Sequence, residues 1–291
     1  MKKYDCFLVL VFALLLVPVL FFPACKTKPE PVEGPFPSLV FDRVEAEDPA
    51  HLRLYFTAEV ENPFPSAGKV KIESWRIELN GKRAWSGFSL ESPKDPVFNL
   101  APGFNSFPLQ MNMDIDALAA QGLAPADEYE LNLIAKLVYS IGSSPQEEIE
   151  VSGIAVIPGV RAPVFSITSI AILKAELINT RFRVSLVIEN PNPFPVELAA
   201  FSYELYGNGR LWADGMEKNI IRVKGKSSLK GDLYLIMNFI NMKRDLLDQV
   251  IDLIDVNYRF AGEARVSTEV EYLPKFVTKF DLSGYSRVFE N

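Results

Sequence analysis

Few residues in this chain of 291 could support acid-base, nucleophilic or metal chemistry. The sequence has one histidine, His51, and two cysteines, Cys6 and Cys25, both within the first 25 positions. One histidine could supply at most one member of a catalytic triad, and a Cys/His zinc site or a structural disulfide in the body needs more of these residues. We therefore expect no enzyme activity and no cofactor, and we expect His51, at the start of an alternating strand, to lie at the surface.

The remaining chemical candidates are better explained as structure. Asp214 precedes Gly215, but no Asp-x-Asp-x-Asp-Gly calcium loop is present. Gly225-Lys226-Ser227 resembles the end of a phosphate loop, yet the upstream glycine is missing, and a turn is predicted. Four aspartates lie opposite the apolar face of a predicted helix and are expected to be solvated: Asp245, Asp248, Asp252 and Asp255. No metal site is predicted.

The charge balance argues against nucleic acid as a partner. Thirty basic residues stand against 37 acidic ones, for a net charge of −7. Proteins that bind the phosphate backbone concentrate Lys and Arg on one face, and the only basic cluster here is the short segment 226–230.

The first 25 residues read as an export signal with an anchor. Lys2 and Lys3 precede an apolar run from Phe7 to Phe22, which is short for a transmembrane helix and contains Pro18. Ala24-Cys25 resembles the end of a bacterial lipobox, although Phe22 and Pro23 depart from the usual residues. The resemblance implies lipidation of Cys25. An uncleaved anchor or a free cysteine after ordinary cleavage are the alternatives.

A proline-rich tether follows the anchor. Residues 26–37 contain four prolines and no apolar periodicity. As polyproline II they would span about 37 Å at roughly 3.1 Å per residue. We expect an exported protein that its N-terminal lipid attaches to a membrane, on the periplasmic side or at the cell surface.

The body consists of two halves with the same pattern. Leu52, Leu54, Phe56, Ala58 and Val60 alternate with polar residues, as do Phe182, Val184, Leu186 and Ile188. A period of two predicts a half-buried strand in each half. Three pairs of matching residues are each separated by 128 positions: Val60 and Ile188, Gly81 and Gly209, and Gly87 and Gly215. The sequence therefore predicts a repeat.

The turns that follow these strands also recur. Asn62-Pro63 and Asn190-Pro191-Asn192-Pro193 end the two strands, because proline cannot donate to a strand ladder. Asn-Gly at 80–81 and 208–209 predicts type I′ turns, in which both central residues have positive φ. Each half also contains one predicted helix, a short one at Asp114–Ala120 and a longer one whose apolar face runs from Phe239 to Leu253.

These elements predict a mainly β chain of two tandem antiparallel β-sandwiches, each with one short helix. The first covers residues 38–157 and the second 164–291, joined by a linker at 158–163. The six linker residues reach at most roughly 20 Å, so we expect the halves to touch.

The repeated phrase resembles a known family. The alternating strand, Asn-Pro-Asn-Pro-Phe-Pro-Val at 190–196, the Gly-Asn-Gly turn and Gly215 are similar to group 2 late embryogenesis abundant proteins, also called the WHy (water stress and hypersensitive response) domain. The second half matches well, whereas the first lacks the second Asn-Pro. The resemblance implies fibronectin type III-like domains that are associated with desiccation and stress tolerance and that occur in exported lipoproteins. It supplies no catalytic residues.

Candidate binding loops come from the same motifs. Asn62 and Pro63 in the first half, and Asn190, Pro191, Asn192 and Pro193 in the second, would form one end of each sandwich. Their alternative role is strand termination and turn capping by Asn side chains. Trp75, Trp85 and Trp212 are either an aromatic platform for sugar rings or apolar ligands, or core residues; Trp85 and Trp212, which flank turns, are the better platform candidates.

Three functions remain open at this point. The first is a non-enzymatic, lipid-anchored envelope protein in stress protection or envelope maintenance, acting on protein, lipid or membrane partners. The second is a ligand-capture lipoprotein for an apolar small molecule, lipid or glycan. The third is a structural subunit of an envelope complex.

The anchor can be tested directly. We expect Cys25→Ala to move the protein from the membrane fraction to the soluble fraction, because the attached acyl chains would be lost. Immunoblots of the two fractions measure this. Unchanged membrane retention of the variant would contradict lipidation at Cys25.

Overall fold

Alternating apolar residues form the central strand of each half, as the sequence predicts. In a computed structural model of the chain, Leu52, Leu54, Phe56, Ala58 and Val60 are buried along β2 (His51–Asn62). The matching strand β11 (Ile178–Asn190) buries its own alternating set, Phe182, Val184, Leu186 and Ile188. Each strand directs one face into its own hydrophobic core.

The structure describes residues 36–84, 87–91, 97–123, 125–142, 146–174, 178–238 and 255–290. Three predicted features lie outside these residues: the signal segment with Cys25, Trp85, and the helix from Phe239 with Asp245, Asp248 and Asp252. Asp255, which was also predicted on that helix, is instead the first residue of the strand Asp255–Ser267. Residues Phe36–Asn291 form one compact unit. Its remaining strands are β1 (Phe36–Ala46), β3 (Gly68–Leu79), β4 (Lys82–Ala84), β5 (Phe88–Glu91), β6 (Val97–Leu100), β7 (Gly103–Asp114), β8 (Glu128–Ile141), β9 (Glu147–Pro158), β10 (Val164–Lys174), β12 (Val196–Gly207), β13 (Arg210–Glu217), β14 (Ile221–Val223), β15 (Ser227–Asn238), β16 (Asp255–Ser267) and β17 (Lys275–Glu290).

Two sheets face each other in the first half. One has the order β1-β2-β7-β5, and the other has the order β4-β3-β8-β9, with β6 also paired to β3. All of these pairings are antiparallel. Phe56 from the first sheet and Leu131 from the second are both fully buried in the common core.

The second half repeats these pairings. Strands β10, β11 and β15 pair as β1, β2 and β7 do, and β13, β12, β16 and β17 pair as β4, β3, β8 and β9 do. One pairing is parallel: β10 pairs with β17, with Ile170 opposite Val288. The predicted fold class is confirmed: the chain is nearly all β, and antiparallel sheets form two sandwich-like halves.

The Asn-Gly turns have the predicted backbone. Asn80 and Gly81 have φ of 50° and 73°, and Asn208 and Gly209 have φ of 49° and 76°. The side chain of each asparagine also accepts a hydrogen bond from a backbone N–H on the neighbouring strand, at Glu130 and at Asn257 respectively. Asparagine therefore supplies both the positive φ and a cross-strand bond.

The short helix of the first half is confirmed as α1 (Ile115–Ala120). Asp114 caps its N-terminus, because the Asp114 side chain accepts a hydrogen bond from the backbone N–H of Ala117 at 2.9 Å. Gly122 follows the helix with φ of 77°. Ile115 and Leu118 turn into the first core, so a single turn and a half of helix is stabilised by packing.

Candidate functional site

The Asn-Pro turns end the central strands, and their asparagines point inward. Asn62 and Asn190 are both buried. The Asn62 side chain donates to the Ser66 carbonyl at 3.0 Å and accepts from the Phe64 N–H at 3.1 Å. Asn190 donates to the Phe194 carbonyl at 2.8 Å, four residues on, which is the same relation. Proline has no N–H, so these side chains satisfy backbone groups that no strand reaches.

The second Asn-Pro of the second half binds the linker between the halves. Asn192 is fully buried. Its side-chain oxygen accepts from the backbone N–H of Arg161 at 2.7 Å, and its side-chain nitrogen donates to the Arg161 carbonyl at 2.8 Å. Asn192 thus pairs with the linker as a neighbouring strand would. The first half has a single Asn-Pro and lacks the residue that corresponds to Asn192.

A charge cluster closes over the same linker. The Asp127 carboxylate, immediately before β8, accepts hydrogen bonds from Arg161 in the linker and from Lys226 in the second half, the latter at 2.6 Å. The hydrogen bond from Lys226 lowers the pKa of Asp127, and the positive charge of Arg161 adds to this effect. One carboxylate therefore joins both halves and the linker.

Tyr272 connects the two halves through apolar packing. It packs against both hydrophobic cores, and its hydroxyl donates to the carbonyl of Pro158 at the start of the linker. Burial raises the pKa of the Tyr272 hydroxyl, and the electrostatic effect of the nearby Tyr129 adds to it. The junction therefore combines a buried amide, an ion cluster and an aromatic ring.

Gly225-Lys226-Ser227 forms part of this junction. The segment turns between β14 and β15, with Lys226 at φ of 49°, and the Lys226 N–H donates to the Asn192 carbonyl at 2.8 Å. A Cβ on Gly225 would lie 2.3 Å from the Pro193 carbonyl oxygen, so glycine allows the two turns to meet. The structure shows the turn that the sequence predicts.

The described tryptophans differ in exposure. Trp212 is 4% exposed and stacks on Phe182, with ring centroids 5.3 Å apart, so its ring is part of the second core. Trp75 is 37% exposed and sits after a bulge in β3. Trp212 therefore does not form an exposed aromatic platform. Its ring lies inside the protein, where Gly207 leaves space for it.

A cleft of about 710 Å³ opens at the helical end of the first half. The turn from β1 to β2, the end of β7 and the start of β5 form its walls. The cleft has an apolar lining from Leu52, Phe88 and Met113, and a charged lining of Glu45, Glu47, Asp48, Asp114, His51 and Arg53. Most of these charges have partners within the protein, since Glu45 binds Arg43 and Tyr55, and Asp114 caps α1.

The single histidine lies in this cleft with a carboxylate partner. His51 Nδ1 is 3.0 Å from both carboxylate oxygens of Asp48, and His51 is exposed, as predicted. The hydrogen bond to Asp48 raises the pKa of His51. The pKa of Asp48 is lowered, because hydrogen bonds from His51 and from the N–H groups of Ala50 and His51 outweigh the opposing effect of burial. The pair therefore holds the imidazole proton more tightly than an isolated histidine would.

The described residues offer neither a cluster of metal ligands nor a membrane-spanning helix. In that part of the chain, His, Cys, Asp and Glu side chains do not form a group of three or more that could hold a metal ion. The same residues include no helix with the length and apolar character needed to span a membrane.

Sequence reasoning missed the junction residues Asp127, Arg161 and Tyr272 and also the cleft. Each junction residue is an ordinary surface type that follows no motif, and its partners lie 31 to 114 residues away. The second Asn-Pro was the available signal, because it is an insertion that occurs in only one half of the sequence.

The comparisons with known proteins support the family at a coarse level. Residues 185–271 match the model of the late embryogenesis abundant protein family. This segment runs from the central strand β11 to the turn that contains Tyr272. Among the curated proteins, none matches the chain significantly.

Solved structures are similar only weakly. A protein from Archaeoglobus fulgidus is 16% identical, over 43% of this chain and 97% of its own, with a TM-score of 0.26. The periplasmic chaperone SfaE is 11% identical, over 89% and 100%, with a TM-score of 0.24. Bacteroides uniformis beta-glucuronidase 2 is 10% identical, over 79% and 26%, with a TM-score of 0.22. TM-scores this low carry no argument about function.

The role of Asn192 can be measured. We expect Asn192→Ala to lower the free energy of unfolding by about 2–4 kcal/mol, because the N–H and the carbonyl of Arg161 lose the fully buried side chain that binds both of them. Urea unfolding of the wild type and the variant measures the loss. Asn219→Ala, at an exposed asparagine, is the matched control, with an expected change within about 0.5 kcal/mol. A protected Arg161 amide in hydrogen exchange of Asn192→Ala would contradict the assignment.

The histidine titration gives a second test. We expect the pKa of His51 to lie above its ordinary value of about 6.5 and to fall in Asp48→Asn. The contribution of His51 to stability is then complete below the unfolded pKa and is lost as pH rises through the raised value, while that of Asp48 is lost as pH falls through its lowered value. Because the chain has one histidine, its NMR titration is unambiguous. An identical pKa in Asp48→Asn would show that the pair does not form.

Proposed function

We propose that this protein is a non-enzymatic envelope protein, held to a membrane by a lipid on Cys25, that protects other envelope components under drying or related stress. The observation that carries the proposal is the match of residues 185–271 to the late embryogenesis abundant family. The repeated strand pairings extend the same architecture to the first half. The tether of residues 26–37 would hold this body at the membrane surface.

The structure supports a role through surfaces. The polar contacts at the junction use the side chains of Asn192, Asp127 and Arg161 internally. Apolar side chains remain exposed on the outer faces of strands in both halves, including Ile154 and Val156 on β9 and Val277 on β17. Exposed apolar side chains on a folded body can contact the apolar surface that a partly unfolded protein displays.

The protective role is tested by drying a desiccation-sensitive enzyme with the fragment 36–291. We expect less aggregation after rehydration than with an equal mass of an inert globular protein, because the fragment would cover exposed apolar surface. Light scattering and recovered enzyme activity are the measurements. Protection no better than that of the inert protein would eliminate the hypothesis.

A matched pair of variants locates the protecting surface in the same assay. Ile154→Ser with Val156→Ser removes apolar area from the outer face of β9, and we expect it to reduce protection. Lys69→Ser with Lys71→Ser changes the same number of residues on β3 and should retain protection. Equal loss in both variants would indicate a general effect of substitution rather than a contact through β9.

The cleft at His51 favours ligand capture as a second candidate function. Its volume of about 710 Å³ lies within the range of small-molecule sites, and it combines an apolar lining with several carboxylates. This lining suits an amphipathic ligand with a cationic group. Such a ligand would displace or compete for Asp48, so it should shift the His51 titration described above. Lipid and glycan panels that leave both the titration and the melting temperature unchanged would argue against capture.

A further inference from the structure

The two halves differ in how they cover one sheet edge. In the first half, β5 pairs with β7 on the side away from β2, with Ser89 opposite Asn112 and Glu91 opposite Gln110. The matching strand of the second half is β15, because Asn62 pairs with Gly103 and Asn190 pairs with Ser227. The positions that correspond to Gln110 and Asn112 are therefore Tyr234 and Ile236.

The strand that would cover β15 stays in the other sheet. At the repeat spacing of 128 residues, Phe88 and Ser89 of β5 correspond to Met216 and Glu217 of β13. Those two residues instead pair with Ser202 and Phe201 of β12. Strand β13 passes near β15 without pairing with it. Among the described residues, no strand pairs with β15 on the side away from β11.

Pro108 on β7 indicates which N–H groups point away from the central strand, and the matching register extends this to β15. Proline has no N–H and is tolerated in a strand where the N–H would face away from the paired neighbour. Pro108 lies on β7 opposite Thr57 of β2, so alternate residues from Pro108, namely Gln110 and Asn112, direct their N–H groups toward β5. By the same register, Tyr234 and Ile236 direct their N–H groups to the open edge of β15.

The side chains along this edge are apolar and exposed. Tyr234 is 66% exposed and Ile236 is 60% exposed, where the first half has Gln110 and Asn112. Leu233 and Leu235 between them are buried in the second core, so the strand itself is well anchored. An open edge with an apolar outer face is a template for pairing with another strand.

The run Leu233-Tyr234-Leu235-Ile236-Met237 is complementary to itself. In an antiparallel pair of two β15 strands about a two-fold axis at Leu235, Tyr234 of each copy lies opposite Ile236 of the other. Both residues direct their N–H groups to the edge, so this register forms hydrogen-bonded pairs, and aromatic with β-branched pairs are favourable across strands. Asp232 falls opposite Asn238 of the other copy, which brings no like charges together.

We propose that the β15 edge is a self-association surface, on which a second copy of the chain adds its own β15 in antiparallel register centred on Leu235. The pairing joins the sheets of the two copies edge to edge, because β15 is the terminal strand of the sheet that runs from β13 through β12, β16, β17, β10 and β11. Isologous contacts of this kind close as dimers. The proposal does not depend on the protective or ligand-binding functions.

Sedimentation equilibrium of the fragment 36–291, the compact unit that contains both cores, tests the proposal. We expect a reversible monomer-dimer equilibrium between about 1 and 200 µM, since a single strand pair is a small interface. Tyr234→Glu with Ile236→Glu should weaken dimerisation at least about 10-fold, because it places carboxylates opposite each other. Ile154→Glu with Val156→Glu, at outward positions of β9, is the matched control and should leave the equilibrium unchanged.

Charge reversal separates pairing from a folding defect. Tyr234→Lys with Ile236→Lys should also be monomeric alone, but an equimolar mixture with the glutamate variant should recover dimers. A chain that stays monomeric up to 200 µM, a dimer that the β15 variants do not weaken, or a mixture without recovery would each overturn the proposal.

Hydrogen exchange identifies the occupant of the edge. The amides of Tyr234 and Ile236 should exchange rapidly in the monomer and become protected as the dimer forms. Protection that is already complete at monomeric concentrations would assign the edge to another segment of the same chain, such as residues 239–254, and would overturn the proposal.

Discussion

Backbone groups at the ends of the central strands need hydrogen-bond partners, and buried asparagine side chains provide them. Proline ends each central strand and leaves carbonyl and N–H groups that no neighbouring strand reaches. Asn62 and Asn190 satisfy these groups within their own halves, and Asn192 extends the same solution to the linker at Arg161. The two hydrogen bonds between the Asn192 side chain and the Arg161 backbone hold the short linker against the second half, as a neighbouring strand would be held.

The junction has layers that differ in their response to conditions. The Asn192 amide is buried and uncharged, so its bonds are insensitive to salt and to pH near neutrality. Asp127 and Lys226 are exposed and Arg161 is half-buried, so salt screens much of this ion cluster, and exposed ion pairs contribute little. Tyr272 adds packing against both cores. The amide and the ring are therefore expected to contribute more to the stability of the junction than the ions do.

The two halves have the same framework but different edges. In the first half, β5 crosses to the opposite sheet and pairs with β7. In the second half, the corresponding residues remain in β13 and pair with β12. The change leaves the inward residues of β15 in place, since Leu233 and Leu235 are buried as Leu109 and Met111 are. The outer positions change from amides to Tyr234 and Ile236. The two halves thus bury matching positions in their cores and differ at the outer positions of this strand.

Local patterns in the sequence determined the strands, the turns, the short helix and the fold class. Alternation decides which residues are buried, Asn-Gly requires positive φ, and Asp114 with Gly122 bounds α1, so each signal lies within a few residues. Tertiary structure alone decided the junction, the cleft at His51 and the burial of Trp212. These features join residues far apart in the chain: Tyr272 reaches Pro158, and Lys226 reaches Asp127. Local sequence cannot specify such contacts, because they exist only after both cores have formed and brought the surfaces together.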